Sequence, residues 1–149
     1  MKVLKKIKGQ LEKTDIIWAV TGSTAFALRG LPFDPEDIDI QTDKKGAYRM
    51  EEVLSEYVVE EVEFSSSDKI RSHFGTLEIS GIKVEIMGDL QKKVKGSWEP
   101  PIDIKSHREF LKIENLKIPV LDLEYELRAY QKLGRDNTVK KLQEWIDKA

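Results

Sequence analysis

Asp37 and Asp39 are the residues around which chemistry can first be built. The segment Asp37-Ile38-Asp39-Ile40-Gln41 alternates polar with apolar, the pattern of a strand with one core face. Residues two apart on a strand share a side, with side-chain origins roughly 6–7 Å apart. Two carboxylates held so rigidly form an oxygen-only chelate suited to Mg²⁺. They can also share two ions roughly 4 Å apart, the geometry of in-line phosphoryl or nucleotidyl transfer. The pair alone is a weak signal. Acids also stand two apart at Asp34/Glu36, Glu61/Glu63, Asp122/Glu124 and Glu124/Glu126, and most such pairs are solvated faces. Context strengthens this one. The apolar run Ile16 to Val20 breaks at Thr21-Gly22-Ser23, and a helix follows. Free backbone N–H groups at a helix start, beside a glycine that admits close approach, form an anion site. The Ser23 hydroxyl adds a donor. A phosphate cradle therefore lies one helix upstream of a carboxylate chelate, and a nucleoside triphosphate with its metals needs both.

A third carboxylate should come from a neighbouring strand. In Ile82-Lys83-Val84-Glu85-Ile86-Met87, Val84 and Ile86 would face the core and Glu85 the other side. Asp89 and Glu78 are the substitutes if the register differs. Arg71, Ser72 and His73 precede a strand expected near Glu85; Arg71 and His73 are candidate substrate contacts, with His73 as a candidate general base. Trp98 could stack on a base or sugar, though such a residue more often plugs a core beneath a loop. Trp18 and Trp145 read as packing residues, and Lys92-Lys93 and Lys140-Lys141 as solvated runs.

These residues need a scaffold. Helical periodicity covers 2–13, with Val3, Leu4, Ile7 and Leu11 on one side. A helix over 24–30 ends at Gly30, and another covers 44–56. Strands are predicted over 57–64, 73–79 and 82–87, the last two forming a hairpin at Ser80-Gly81. Residues 65–68 read as a loop, 88–106 as irregular and 108–118 as two short strands. Two helices, 121–133 and 138–146, join through Gly134. The order implies an α+β domain: a mixed β-sheet flanked by helices, with a short helical C-terminal tail over about 121–149.

At 149 residues, 40% hydrophobic and 35% charged, the chain fits one domain over 1–149 with a real core. The absence of Cys excludes disulfides and Cys-based zinc, and two His exclude a His-rich metal site. A net charge of -2 argues against nucleic-acid binding by the whole surface, leaving only a local basic groove. The basic start lacks a signal-peptide core, and no apolar run is long enough to span a membrane, so a cytoplasmic protein is expected.

Val20-Thr21-Gly22-Ser23, a spacer of thirteen residues, then Asp37-Ile38-Asp39-Ile40 resembles the signature of the DNA-polymerase-beta-like nucleotidyltransferase superfamily. It looks most like small prokaryotic members related to the aminoglycoside and lincosamide nucleotidyltransferases. The resemblance covers most of the chain, but its specific part is residues 20–40. It implies Mg²⁺-dependent transfer of a nucleoside monophosphate from a triphosphate, ATP first, to an acceptor hydroxyl, with pyrophosphate leaving. Two ions are implied, with Mn²⁺ as a substitute, held by Asp37, Asp39 and Glu85. The tail Leu123-Glu124-Tyr125-Glu126-Leu127-Arg128-Ala129-Tyr130-Gln131-Lys132-Leu133-Gly134-Arg135-Asp136 resembles the family's C-terminal helix. There Lys132 would meet the triphosphate, and Arg135 would contact substrate or pair with Asp136. The other reading makes this an ordinary charged face, with Glu124 and Glu126 as partners. The acceptor stays open between a small molecule, RNA and protein. So does a protein partner or homodimer. Glu rather than Asp as third acid leaves room for a catalytically silent nucleotide-binding or antitoxin-like module of the same fold.

Overall fold

The computed structural model describes residues 1–148. Ala149, the last residue of the predicted tail, lies outside the described residues. Helix α1 (Lys2–Leu11) leads to β1 (Trp18–Thr21), α2 (Gly22–Leu28), β2 (Ile38–Thr42) and α3 (Lys44–Val53). Three long strands follow: β3 (Val58–Ser66), β4 (Ile70–Ile79) and β5 (Ile82–Val94). After the short β6 (Ser97–Trp98) come β7 (Arg108–Ile113), β8 (Leu116–Leu121), α4 (Leu123–Lys132) and α5 (Asp136–Lys148). The strands form one open mixed sheet in the order β3-β4-β5-β2-β1-β8-β7, with β6 paired to the end of β5. The β1–β8 and β2–β5 pairs are parallel, and β1–β2, β3–β4, β4–β5 and β7–β8 are antiparallel.

Strand alternation sorts the side chains into two faces. Val20, Ile38, Ile40, Val84 and Ile86 join Val3, Leu4 and Ile7 of α1 and Ala47 and Met50 of α3 in the main core. Trp18 belongs to it too. The opposite face is only partly covered. Ala19 and Leu121 pack there with Ile104 and Tyr125. Phe26, Leu31 and Leu142 form a third cluster with Leu123, Leu127, Tyr130 and Trp145, fastening α4 and α5 to α2. Part of the second face therefore stays open beside α4.

Two predicted boundaries are corrected. Residues 65 and 66 continue β3, pairing with Ser72 and Arg71. More consequentially, β5 does not stop at Gly88 but runs to Val94. Gly88 is present for packing: a Cβ there would lie 2.7 Å from the Ala47 Cβ and 2.8 Å from the Asp43 carbonyl oxygen. The glycine lets α3 cross the strand closely and does not break it. Just beyond it Asp89 adopts φ 50°. His73 pairs with Gly88 and Arg71 with Gln91, so β5 carries one extra residue, a β-bulge. The bulge reverses the alternation. Glu85 and Met87 face α4's side before it, and Leu90 and Lys92 face that side after it.

Candidate active site

The open face gathers the acids. Asp39 and Glu85 are direct partners in the parallel β2–β5 register, on strands about 4.8 Å apart. Glu78 pairs with Lys83 one step further out on β4. Asp89 sits in the bulge beyond Gly88, where its charge acts on His73. Of the three acids considered, Glu85 is the one registered on Asp39. Asp37 ends the loop before β2, and its carbonyl accepts a hydrogen bond from Thr24 Oγ1 at 2.7 Å. Asp39 is pushed up to about 6, by burial first, then by the charges of Glu85 and Asp37 and a hydrogen bond to Glu85. The nearest cation is Lys83, whose Nζ lies 3.3 Å from Glu85 Oε1.

Like charges crowded this closely, all with oxygen donors, fit a hard divalent cation. Among the described residues, no three carboxylate or imidazole groups already stand at metal-binding separation. The backbone register brings Asp39 and Glu85 together, and side-chain rotation would have to close the set with Asp37.

Gly22 sits where β1 turns into α2, at φ 68°; a Cβ there would meet Asp39 Oδ2 at 3.1 Å. Its backbone N–H, expected to be free for phosphate, donates instead to Glu126 Oε2 at 3.4 Å. Glu126 also accepts a hydrogen bond from the Thr21 hydroxyl. It is 3% exposed, and burial pushes it up to about 7 against the pull of those two donors. This acid was expected on a charged surface. The signal was available: Leu123 and Tyr130, three positions before Glu126 and four after it, lie on the packed side of the helix, and Glu126 shares that side.

A cavity of about 110 Å³ runs from Asp39 and Gly22 beneath α4, past Gln41 and Glu126, to Lys92, with Arg135 also in its lining. Ser23, half-buried beside Gly22, does not line it. Lys92, expected to be solvated, is 6% exposed. Its Nζ donates to the Tyr125 hydroxyl at 3.0 Å, and burial lowers its pKa. Sequence alternation could not place it here, because the bulge at Asp89 inverts the pattern.

The remaining candidates disperse. His73 faces α3, with Nδ1 3.0 Å from the Tyr48 hydroxyl, so it stands across the sheet from Glu85. Arg71 donates to Gln91 Oε1 at 2.9 Å and lies 4.4 Å from the centre of the Trp98 ring. Trp98 thus stacks on a guanidinium. Lys132 pairs with Glu99 at 3.0 Å. Arg135 stays at the cavity, its guanidinium 5.4 Å from the centre of the Tyr130 ring.

The family described as aminoglycoside-2''-adenylyltransferase matches residues 3–145. The chain belongs to that family. It is an enzyme of the nucleotidyltransferase class, which leaves the silent-module alternative without support. A candidate nucleotidyltransferase from Thermotoga maritima is 50% identical, with a TM-score of 0.86 over 99% of this chain and 92% of that one. The lincosamide antibiotic adenylyltransferase LnuA, solved with lincomycin, shares the fold at 14% identity and a TM-score of 0.61, covering 95% of each chain. ANT(2'')-Ia, solved with adenylyl-2''-tobramycin, does so at 11% identity and 0.63, over 95% of this chain and 84% of its own. No curated protein sequence matches the chain. Among the described residues of this adenylyltransferase-family chain, no helix is long and apolar enough to cross a membrane.

Proposed function

We propose that this chain transfers a nucleoside monophosphate, AMP first, from a triphosphate to a hydroxyl of a small-molecule acceptor, and releases pyrophosphate. The observation that carries this reading is the register of Asp39 on Glu85, with Gly22 packed against the Asp39 carboxylate. The lincomycin bound to LnuA and the adenylyl-2''-tobramycin bound to ANT(2'')-Ia make a hydroxylated small molecule the first acceptor class to test. Asp37, Asp39 and Glu85 would hold Mg²⁺, or Mn²⁺ in its place. Bound there, two ions would neutralise the phosphate oxygens and lower the pKa of the acceptor hydroxyl. Gly22, having no side chain, leaves room for the triphosphate beside Asp39. The acceptor oxygen then attacks the α-phosphorus in line. A new P–O bond forms, the bond to the β-phosphate oxygen breaks, and the hydroxyl proton passes to the carboxylate pair.

Labelled ATP, GTP, CTP and UTP incubated with cell lysate and Mg²⁺ test the reading. Wild type should transfer label to a small-molecule fraction, and Asp39→Asn should not. Equal labelling by the two proteins would refute metal-dependent transfer at this site.

A further inference from the structure

The face of the sheet opposite Asp39 is covered by α3 only in part. The helix crosses β5 closely at Gly88, and the strand ends beyond that crossing are open. Alternation puts Phe64 and Ser66 of β3, Arg71 and His73 of β4, and Gln91 and Lys93 of β5 on this open part, with Trp98 of β6 paired to Lys93. Two contacts fix the direction. Tyr48 of α3 reaches His73, whereas Ile70 and Lys92, at the alternate positions, line the cavity on the other face.

Rings and cations are interleaved here. The ring centres of Phe64 and His73 are 5.3 Å apart. The Arg71 guanidinium lies 4.4 Å and the Lys93 ammonium 5.7 Å from the centre of the Trp98 ring. Phe64 is 55% exposed, Lys93 is exposed and Trp98 half-buried. A guanidinium has five donors, and Arg71 spends one, Nε, on Gln91 Oε1. Gln91 is held in turn by its amide nitrogen, which donates to the Glu99 carbonyl at 3.1 Å. The guanidinium is thus fixed in place with its terminal nitrogens unused. Among the described residues, neither Arg71 nor Lys93 has a carboxylate at ion-pair distance. The nearby acids are engaged elsewhere: Glu99 with Lys132, Glu51 with the Val62 N–H, and Asp89 beside His73.

Fixed cations without counter-charges attract a polyanion. An acidic peptide would satisfy the charges and leave the rings unused. A duplex would present phosphates but keep its base faces stacked inside. A single strand offers phosphates and free base faces together. We propose that this face binds single-stranded nucleic acid. Bases stack on Phe64 and on the Arg71–Trp98 pair, and Arg71 and Lys93 hold phosphates. The net charge of -2 confines such binding to this patch. The patch lies across the sheet from Asp39 and does not depend on the transfer reaction proposed above.

Fluorescence anisotropy with labelled oligouridylate and oligothymidylate of about twelve nucleotides tests the proposal. Binding of either at low salt supports it, and the tighter of the two names the sugar. Affinity should fall as salt rises, by about 0.7 in logarithmic slope for each phosphate neutralised. Phe64→Ala should weaken binding by about tenfold, the worth of one stacked base, and leave that slope unchanged. Arg71→Gln and Lys93→Gln should each reduce the slope by about 0.7. A wild type that binds neither strand overturns the proposal. So does equal affinity for a duplex of the same length or for an acidic peptide of the same charge, and so does undiminished binding in Phe64→Ala. Should Arg71→Gln fail to fold, Phe64→Ala and Lys93→Gln, both at exposed positions, decide the matter. Asp39→Asn separates this face from the transfer site: it should bind the strands as wild type does, while Phe64→Ala should transfer label as wild type does. Loss of binding in Asp39→Asn would put the strand in the transfer site and overturn its assignment to this face.

Discussion

Two carboxylate sites lie on the same face of the sheet, one on either side of Gly22. Across β2 and β5, Asp39 and Glu85 face each other with Asp37 nearby, and their nearest cation is Lys83 on the outer side of Glu85. Under α4, Glu126 is alone, buried, and supplied with the Thr21 hydroxyl and the Gly22 N–H. The first group repels itself and is open to an incoming cation. The second is satisfied internally and ties α4 to the start of α2. Carboxylates crowded on one another are suited to an incoming cation, whereas a lone buried carboxyl with its own hydrogen-bond donors is suited to holding two elements together.

The sharpest way to break that comparison is Asp39→Asn. Transfer activity should fall by about a thousandfold or more if the acid edge holds the catalytic metal. Measured without Mg²⁺, the melting temperature should rise, because removing one of several like charges relieves repulsion. A relief of about 1 kcal/mol would raise it by about 2–4 °C. A fall in melting temperature would show that Asp39 supports the fold as Glu126 does.

Gly22→Ala acts between the two sites. The residue stands at φ 68°, and its new Cβ would press on Asp39 Oδ2. The left-handed conformation alone costs about 1–2 kcal/mol, so thermal denaturation should shift down by about 2–8 °C. Activity should fall further than that loss explains, since the added methyl group points at the acid edge.

Glu126→Gln tests the compensated side through pH. The folded pKa of about 7 lies above the ordinary 4.5, so the folded state holds this proton more tightly than the unfolded one. The resulting stabilisation is full below pH 4.5 and is lost as pH rises through 7, by up to about 3 kcal/mol. Between pH 5 and pH 8, wild type should therefore lose several degrees of melting temperature relative to Glu126→Gln. Parallel melting curves across that range would show that Glu126 titrates normally.

The smallest effect is expected at Lys132. Its bond to Glu99 is solvent-exposed, and such pairs contribute about 0–1 kcal/mol. Lys132→Ala should move the melting temperature by about 2 °C at most and leave pyrophosphate affinity within about twofold. A tenfold loss would return to Lys132 the triphosphate contact that the family resemblance implies.

The acid edge was legible in the sequence because it depends only on strand alternation. Asp39 flanked by Ile38 and Ile40, and Glu85 flanked by Val84 and Ile86, place themselves once each segment is read as a strand. The parallel pairing that sets one beside the other is a long-range choice that neither segment contains. The cavity was hidden for different reasons. Glu126 looks like one acid among many in an acidic helix, and only the docking of α4 shows which side is buried. Lys92 follows a glycine that reads as a break but is a point of close helix packing. His73 was misplaced because its strand was known and its face was not.

The extra residue at Asp89 has a consequence for how the gene can vary. Deleting Asp89 would remove the extra residue and restore strict alternation with Leu90 and Lys92 still toward the cavity, whereas one more inserted residue would turn Lys92 toward the α3 side. Between Gly88 and Lys92 the chain should therefore tolerate the loss of one residue better than the gain of one. The turn at Lys95-Gly96, beyond the paired segment, with no atom within 4 Å of where a Gly96 Cβ would stand, should accept inserted residues freely.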